Sequence, residues 1–152
     1  MGDQEPIPGK DSRPLWAVRG RPEGVHQRPD FSLARKNLGN AFFRQGKFDQ
    51  AIEQFEKYLR IEPDSAEIHA NAAYALLQKG RFDEAIMHIR EIIRMQPNSA
   101  VAYSALGDIY QQQGSVSGAV EAFNKALELA RAGGDEELAR QIQAKLSGLQ
   151  SQ

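Results

Sequence analysis

The feature that most constrains the fold of this chain is a sequence pattern that occurs three times at a constant spacing. The segment from Leu38, "LGNAFFRQGKFDQAIEQFEKYLRIEP", has a diverged copy from Ala72 and a third copy from Leu106. Four sets of residues keep the same spacing: Gly39, Ala73 and Gly107; Gly46, Gly80 and Gly114; Ala51, Ala85 and Ala119; Pro63 and Pro97. A period of about 34 residues is typical of stacked helical repeats, in which each unit buries its apolar face against its neighbours.

Each copy contains two segments with the apolar spacing of an amphipathic helix. In the first copy, the first segment has a stripe that we expect to be buried: Ala34, Leu38, Ala41 and Phe42. The second segment has a similar stripe, formed by Ala51, Ile52, Phe55 and Leu59. The repeat is therefore predicted to be a pair of helices.

The residues between these segments predict where the helices begin and end. Gly46 is expected to end the first helix, because glycine tolerates the left-handed conformation found there. Pro63 ends the second helix, since proline has no backbone N–H. Asp64 is predicted to cap the next helix, with Glu67 completing a capping box. Connections this short make consecutive helices antiparallel.

The two ends of the chain differ from the repeats. Residues 1–30 hold five of the seven prolines and few apolar residues, which predicts a disordered tail or linker. After the third repeat, Gly133 and Gly134 interrupt the pattern, and Asp135 is a predicted cap for a last helix over residues 135–150. Its apolar face would cover the end of the stack: Leu138, Ile142, Leu146 and Leu149.

These motifs resemble the tetratricopeptide repeat family, with three repeats over residues 31–131 (32–65, 66–99 and 100–131) and the capping helix. Repeat one carries Leu38-Gly39, Phe42, Ala51, Phe55 and Pro63, and repeat three carries Tyr103, Leu106-Gly107, Tyr110, Ala119, Phe123 and Ala126. Repeat two matches less well, with His69, Ala72-Ala73, Leu76, Ala85, Ile89 and Pro97. Tyr58 and Ile92 stand where the family prefers alanine. The resemblance implies an all-α, right-handed superhelix of antiparallel helix pairs.

The resemblance also implies a non-catalytic module that binds a peptide segment of another protein. The partner would lie in a concave groove lined by the first helix of each repeat. Carried over position by position, the groove residues are Lys36, Asn37, Asn40, Phe43 and Arg44 from repeat one, Glu67, Asn71, Tyr74, Leu77 and Gln78 from repeat two, and Val101, Asp108 and Gln111 from repeat three, with Leu33 and Ala105 beside them. Phe43, Tyr74 and Leu77 lie beside the core stripe, so a contact with a partner is the favoured reason for them.

The charges of these positions narrow the kind of peptide. Relatives that hold a C-terminal carboxylate use a clamp, of which Lys36, Asn40 and Asn71 match three members. Val101 and Ala105 stand where that clamp has cations, which argues against it. The charges of the groove are Lys36 and Arg44 against Glu67 and Asp108. They suggest a groove that is basic at repeat one and acidic at repeat three, and hence a partner of opposite polarity.

Other classes of function find little support in the sequence. The net charge is −1, and "RGRP" from Arg19 is followed by Glu23, so neither a nucleic acid partner nor a minor-groove hook is predicted. The chain has no cysteine, and His26, His69 and His88 have no metal-site spacing, so no metal, cofactor or catalytic residue is predicted. His69 is expected to be a packed interface histidine. No stretch is apolar enough to insert into a membrane, and we expect a cytoplasmic protein.

Two alternatives remain open. The chain could be a structural module that self-associates by stacking through its uncapped first repeat, or the repeat domain of a larger protein. Trp16, the sole tryptophan, lies in "PLWAV" within the tail. It is either an unconstrained linker residue or one that docks, with Leu15, on the exposed first helix.

Overall fold

The computed structural model describes the backbone of residues 29–152 and the side chains of residues 31–152. This range contains seven α-helices and no strand: α1 (Pro29–Arg44), α2 (Phe48–Ile61), α3 (Ala66–Gln78), α4 (Phe82–Met95), α5 (Ala100–Gln113), α6 (Val116–Ala132) and α7 (Glu136–Gln150). The predicted all-α class is confirmed. Trp16 and His26 of the predicted tail lie outside the described residues. Helix α1 begins at Pro29, two residues earlier than expected, so it includes the last two residues of that tail.

The helices pack in chain order. Helices α1 and α2, α3 and α4, and α5 and α6 form pairs, while α2 contacts α3, α4 contacts α5, and α7 packs against α6. The buried apolar side chains form three clusters along this stack. The pairs α3–α4 and α5–α6 are therefore covered on both sides by their neighbours in sequence, and the pair α1–α2 is covered on one side by a described helix, as expected for a repeat protein.

Glycine ends the first helix of each pair, as the sequence predicts. Gly46, Gly80 and Gly114 have φ angles of 72°, 70° and 85°. In the connection between α1 and α2, the Lys47 N–H donates to the Phe42 carbonyl at 2.9 Å. The left-handed glycine thus lets the chain reverse within a few residues and start the second helix antiparallel to the first.

Small residues let the two helices of a pair approach each other closely. A Cβ atom built on Gly39 would lie 2.7 Å from Phe55 Cε1, and one on Gly107 would lie 2.5 Å from Phe123 Cδ1. Repeat two has Ala73 in place of the glycine, and it has Ile89 where repeat one has Phe55. Glycine therefore occurs where a phenylalanine ring faces the helix, and alanine occurs where isoleucine does.

The caps differ in part from those predicted. Ser65, not Asp64, caps α3, and its side chain accepts from the Ile68 N–H at 3.4 Å. Asp64 lies one residue too early for this role and instead accepts from Arg94 Nη2 at 2.6 Å. Ser99 caps α5 in the same way, and Asp135 caps α7 as predicted.

The apolar stripe predicted to be buried on α1 is partly exposed. Leu38 is 45% exposed and Ala34 is also exposed. The residues at the equivalent positions of repeat two, Ile68 and Ala72, are fully buried. The difference arises because α2 covers α3, whereas no described helix precedes α1.

The last helix covers the other end of the stack. Helix α6 continues through Arg131, which replaces the proline of the earlier repeats, and ends at Ala132. Ile142, Leu146 and Leu149 of α7 are buried in the same cluster as Phe123. The predicted capping face is thus confirmed, with Leu138 only half-buried.

Candidate functional site

Three contacts between α1 and α3 bring predicted groove residues together. Lys36 Nζ donates to Glu67 Oε2 at 2.6 Å, and Asn71 Nδ2 donates to Asn40 Oδ1 at 3.2 Å. The rings of Phe43 and Tyr74 meet edge to face, with centroids 5.3 Å apart. The three pairs follow one another in the same order on both helices, so the contacts lie in succession along α1 and α3. We call the surface that carries the predicted groove residues of α1, α3 and α5 the groove face.

The groove face exposes large apolar side chains on all three helices. Leu33 of α1 is 57% exposed, Tyr74 of α3 is 51% exposed, and Val101 of α5 is 66% exposed. Phe43 and Leu77 are only half-buried side chains that pack against the core. Tyr74 and Val101 are therefore the predicted positions that burial in this chain explains least. The polar positions Asn37, Arg44, Gln78 and Gln111 are partly or fully exposed.

The ion pair of Lys36 and Glu67 fixes the charge at one end of the groove face. The hydrogen bond to Glu67 raises the pKa of Lys36 further above its ordinary value, at which lysine is already charged at neutral pH. Both side chains are partly exposed, and such pairs contribute little to the free energy of unfolding. Their effect is local: the lysine that could bind a carboxylate already contacts one.

A second ion pair corrects the prediction that the groove is acidic at repeat three. Lys145 Nζ of α7 donates to both carboxylate oxygens of Asp108 at 2.8 Å. The same ammonium lies 5.5 Å from the ring centroid of Phe123. The predicted acidic end is wrong, because Lys145 balances the aspartate of repeat three. At repeat one, Glu67 balances Lys36, whereas Arg44 is exposed. Lys145 lies in α7, outside the three repeats, so the repeat pattern alone did not indicate this contact.

Two histidines form a buried pair inside repeat two. The Nδ1 atoms of His69 and His88 are 2.9 Å apart, and His69 Nε2 is 2.8 Å from the Pro63 carbonyl oxygen. Because a carbonyl only accepts, His69 Nε2 carries the proton, and His69 Nδ1 accepts from the Nδ1–H of His88. The prediction that His69 is a packed interface histidine is confirmed. Its pairing with His88 on the next helix was not foreseen.

Burial keeps both imidazoles neutral. It lowers the pKa of His69, and together with the neighbouring His69 it lowers the pKa of His88 to about 3. The charged groups that act on His69 are Glu91, Arg94 and Asp64, and Arg81 acts on His88. The pair is a structural hydrogen bond rather than a proton donor at neutral pH.

A separate cleft of about 610 Å³ lies between α4, α5 and α6. Its lining contains no groove residue and includes Arg90, Tyr110 and Ala122. Arg90 Nη2 donates to the Tyr110 hydroxyl at 3.2 Å. Ala122 is the counterpart of His88 in repeat three, so a small side chain replaces a large one at this place. The alignment of the repeats shows this difference in side-chain size.

Within residues 31–152, no group of three or more histidine and carboxylate side chains could hold a metal ion. None of the helices from α1 to α7 is long and apolar enough to cross a membrane.

The stacked helix pairs and the face lined by their first helices define a helical-repeat solenoid. The family model for the tetratricopeptide repeat matches residues 24–66, 36–100 and 71–137, which together are well over half of the chain. The chain therefore belongs to the tetratricopeptide repeat family. Comparison with curated protein sequences gave no match.

Solved structures of this fold are similar over most of the chain. PcrH in complex with the chaperone binding region of PopD is 22% identical with a TM-score of 0.71, covering 82% of this chain and 94% of that one. The TPR2B domain of yeast Sti1, in a complex with pHsp70, is 20% identical with a TM-score of 0.69, covering 80% and 98%. The first TPR of Spaghetti (RPAP3), bound to the HSP90 peptide SRMEEVD, is 25% identical with a TM-score of 0.62, covering 82% and 99%.

Proposed function

We propose that this protein is a non-catalytic interaction module that binds a peptide segment of a partner protein on its groove face. The observation that carries the proposal is the exposure of Leu33, Tyr74 and Val101 on three successive first helices. Exposed aromatic and apolar side chains of this size supply the contact area on which peptide affinity depends. The core does not need them, since each is more than half exposed.

The complexes of similar proteins support this kind of ligand. PcrH is bound to a region of PopD, the Sti1 domain is in a complex with pHsp70, and the RPAP3 repeats hold the peptide SRMEEVD. A segment of another protein is therefore the ligand class that we propose here. The partner itself is to be identified by experiment.

The charges of the groove face favour a peptide with internal apolar anchors over one held by its C-terminal carboxylate. Val101 and Ala105 carry no charge at the clamp positions, and Lys36 is paired with Glu67. Asp108 is likewise paired with Lys145. The apolar anchors would contact Tyr74, which has Phe43 beside it, and Val101 on the first helix of the next repeat.

The test uses peptides selected from a random library on the full chain and titrated by fluorescence anisotropy. The double variant Tyr74→Ala/Val101→Ala removes two exposed side chains, and its fold is checked by circular dichroism. We expect the dissociation constant to rise about tenfold or more, which corresponds to a loss of about 1.4 kcal/mol. The matched control is Val116→Ala, which removes a 52% exposed apolar side chain at the start of α6, away from the groove face.

Two results would count against the proposal. If the double variant and Val116→Ala bind the selected peptides as tightly as the native chain, the peptides occupy another surface, such as the cleft beside Arg90. If amidation of the peptide C-terminus abolishes binding, a carboxylate is recognised after all, and the choice of apolar anchors is wrong.

The alternative of a head-to-tail assembly is less well supported. The α1 end of the stack exposes Phe31 and Leu38. The outer side of α7, which would have to cover them, is polar: Arg140, Gln141, Gln143, Ser147 and Gln150 are exposed. Burying those side chains against leucine and phenylalanine would cost their hydration without giving them partners.

A further inference from the structure

The α1 end of the stack has an apolar surface whose counterparts in the other repeats are covered. We call it the open stripe: Phe31, Ala34 and Leu38. All three side chains are exposed, and Phe31 is more than half exposed. The counterparts of Ala34 and Leu38 are Ile68 and Ala72 on α3 and Ala102 and Leu106 on α5, all of which are buried. The stripe is therefore a repeat-packing surface that lacks its neighbour among the described residues.

A polar atom at the same end also lacks its neighbour. Arg35 is the counterpart of His69 in repeat one, and its Nε atom is buried with no hydrogen-bond partner among residues 31–152. In repeat two, His69 reaches the carbonyl oxygen of Pro63, which belongs to the chain just before α3. The counterpart of Pro63 in repeat one is Pro29, the first residue of α1 and the first residue whose backbone the structure describes. Repeat one therefore has no described segment before its first helix that could supply the equivalent acceptor.

We propose that residues 14–18 of this chain, "PLWAV", fold back and cover the open stripe. Leu15, Trp16 and Val18 are three apolar residues within four positions of a segment that is otherwise mostly polar, proline or glycine. Burial of a tryptophan ring against an exposed apolar surface is strongly favourable. This proposal concerns the end of the stack and is independent of peptide binding on the groove face.

The connecting chain is long enough for this contact. Ten residues, 19–28, separate Val18 from the start of α1, and an extended chain of ten residues reaches about 33 Å. Leu38 lies nine residues into α1, about 14 Å along the helix axis. The segment can therefore reach every residue of the open stripe, and the tether gives it a high local concentration.

The size of the surface favours a short segment over a second copy of the chain. Helix α1 has 16 residues, so one of its faces measures about 24 Å by 10 Å, or about 240 Å². A stable dimer interface needs about 800 Å² from each partner. A tryptophan ring alone buries about 150–250 Å², which matches the available area.

The experiment uses the fluorescence of Trp16, the sole tryptophan of the full chain. We expect native emission that is blue-shifted and less quenched by acrylamide than in the urea-unfolded chain. Leu38→Glu should shift the emission to that of the unfolded chain, because it charges the open stripe. Leu33→Glu is the matched control on the same helix, since Leu33 is exposed but lies on the groove face, and it should leave the emission unchanged.

Three outcomes would overturn the proposal. The first is native emission equal to that of the unfolded chain, and the second is an equal effect of Leu38→Glu and Leu33→Glu. The third is protection that disappears on dilution while sedimentation shows a dimer, because a second copy would then cover the stripe. If Leu38→Glu fails to fold, Trp16→Ala decides: it should raise the rate of amide exchange in α1 several-fold and leave the rate in α6 unchanged.

Discussion

His69 and His88 share one hydrogen bond between their Nδ1 atoms, at 2.9 Å, in the fully buried interior of repeat two. The hydrogen bond requires a neutral His69, because a protonated His69 would have a proton on each nitrogen and could not accept. Burial favours the neutral form of His88 as well. The packing of this repeat is therefore linked to pH.

We predict that the free energy of unfolding falls below about pH 6.5 because of this pair. The pKa of His88 is lowered to about 3 in the folded chain, against about 6.5 when unfolded. The unfolded chain then binds more protons, so stability is complete above pH 6.5 and is lost as pH falls toward 3. Between pH 6.5 and 5, His88 alone should account for about 2 kcal/mol, measured by urea unfolding at each pH.

The third repeat supplies a control for this prediction. Tyr103 and Ala122 occupy in repeat three the positions of His69 and His88. The variant His69→Tyr/His88→Ala therefore gives repeat two the same pair of residues as repeat three. This variant should lose the part of the pH dependence that the histidines cause and keep the part due to carboxylates. Nitrogen chemical shifts of the native chain at pH 5 give a second reading, and imidazolium signals in the folded state would show the prediction to be wrong.

A further prediction concerns the glycine that faces a phenylalanine ring. Gly107→Ala should destabilise the chain by about 1–3 kcal/mol, because the new Cβ would lie 2.5 Å from Phe123. Gly148→Ala is the matched control in α7, since nothing lies within 4 Å of its Cβ position. That change should stabilise α7 by about 0.5–1 kcal/mol, and both are measured by chemical denaturation.

The companion variant Phe123→Ile tests the reason for the effect. Repeat two pairs Ala73 with Ile89, so the double variant Gly107→Ala/Phe123→Ile recreates a pair that the chain already tolerates. The two changes should couple, with the double variant more stable than the sum of the single effects predicts. Simple additivity would mean that the ring is not what excludes a side chain at Gly107.

The fold could be predicted because its determinants repeat along the chain. Gly46, Gly80 and Gly114 each have a positive φ angle, and this requirement is local and visible in the sequence. The stripe of α1 could not be predicted as exposed, because Leu38 has the same pattern as its buried counterparts. Only the absence of a preceding helix among the described residues distinguishes it, and that is a property of the stack rather than of the residue.

The charge pairs of the groove face depend on contacts that the repeat pattern does not contain. Lys36 and Glu67 belong to different repeats, and Asp108 meets a residue of α7 that the repeat alignment does not include. The pairing of His69 with His88 depends on which faces of α3 and α4 meet. Periodicity places residues on faces, but ion pairs between helices depend on side-chain geometry that no pattern specifies.

We predict that the ion pair of Lys145 and Asp108 sets the charge of the groove face without contributing much to stability. Both side chains are more than a third exposed, so Lys145→Gln should change the free energy of unfolding by less than about 1 kcal/mol. It should, however, leave the carboxylate of Asp108 without its cation. Peptides selected on this variant should carry more lysine and arginine than those selected on the native chain. If the peptides from the two selections carry equal charge, Asp108 does not belong to the binding surface.

The last prediction tests whether α7 stabilises the end of the stack formed by α6 and α7 more than the end formed by α1 and α2. Leu146→Ala should cost about 2–5 kcal/mol, because Leu146 is buried in the cluster that contains Phe123 and Ile142. In a stack of repeats the loss should be greatest near the change, so hydrogen exchange should accelerate in α6 and α7 more than in α1 and α2. Gln143→Ala, at an exposed position of the same helix, should leave exchange at both ends unchanged. Uniform acceleration from α1 to α7 would instead mean that the whole stack unfolds as one cooperative unit, with no independent end.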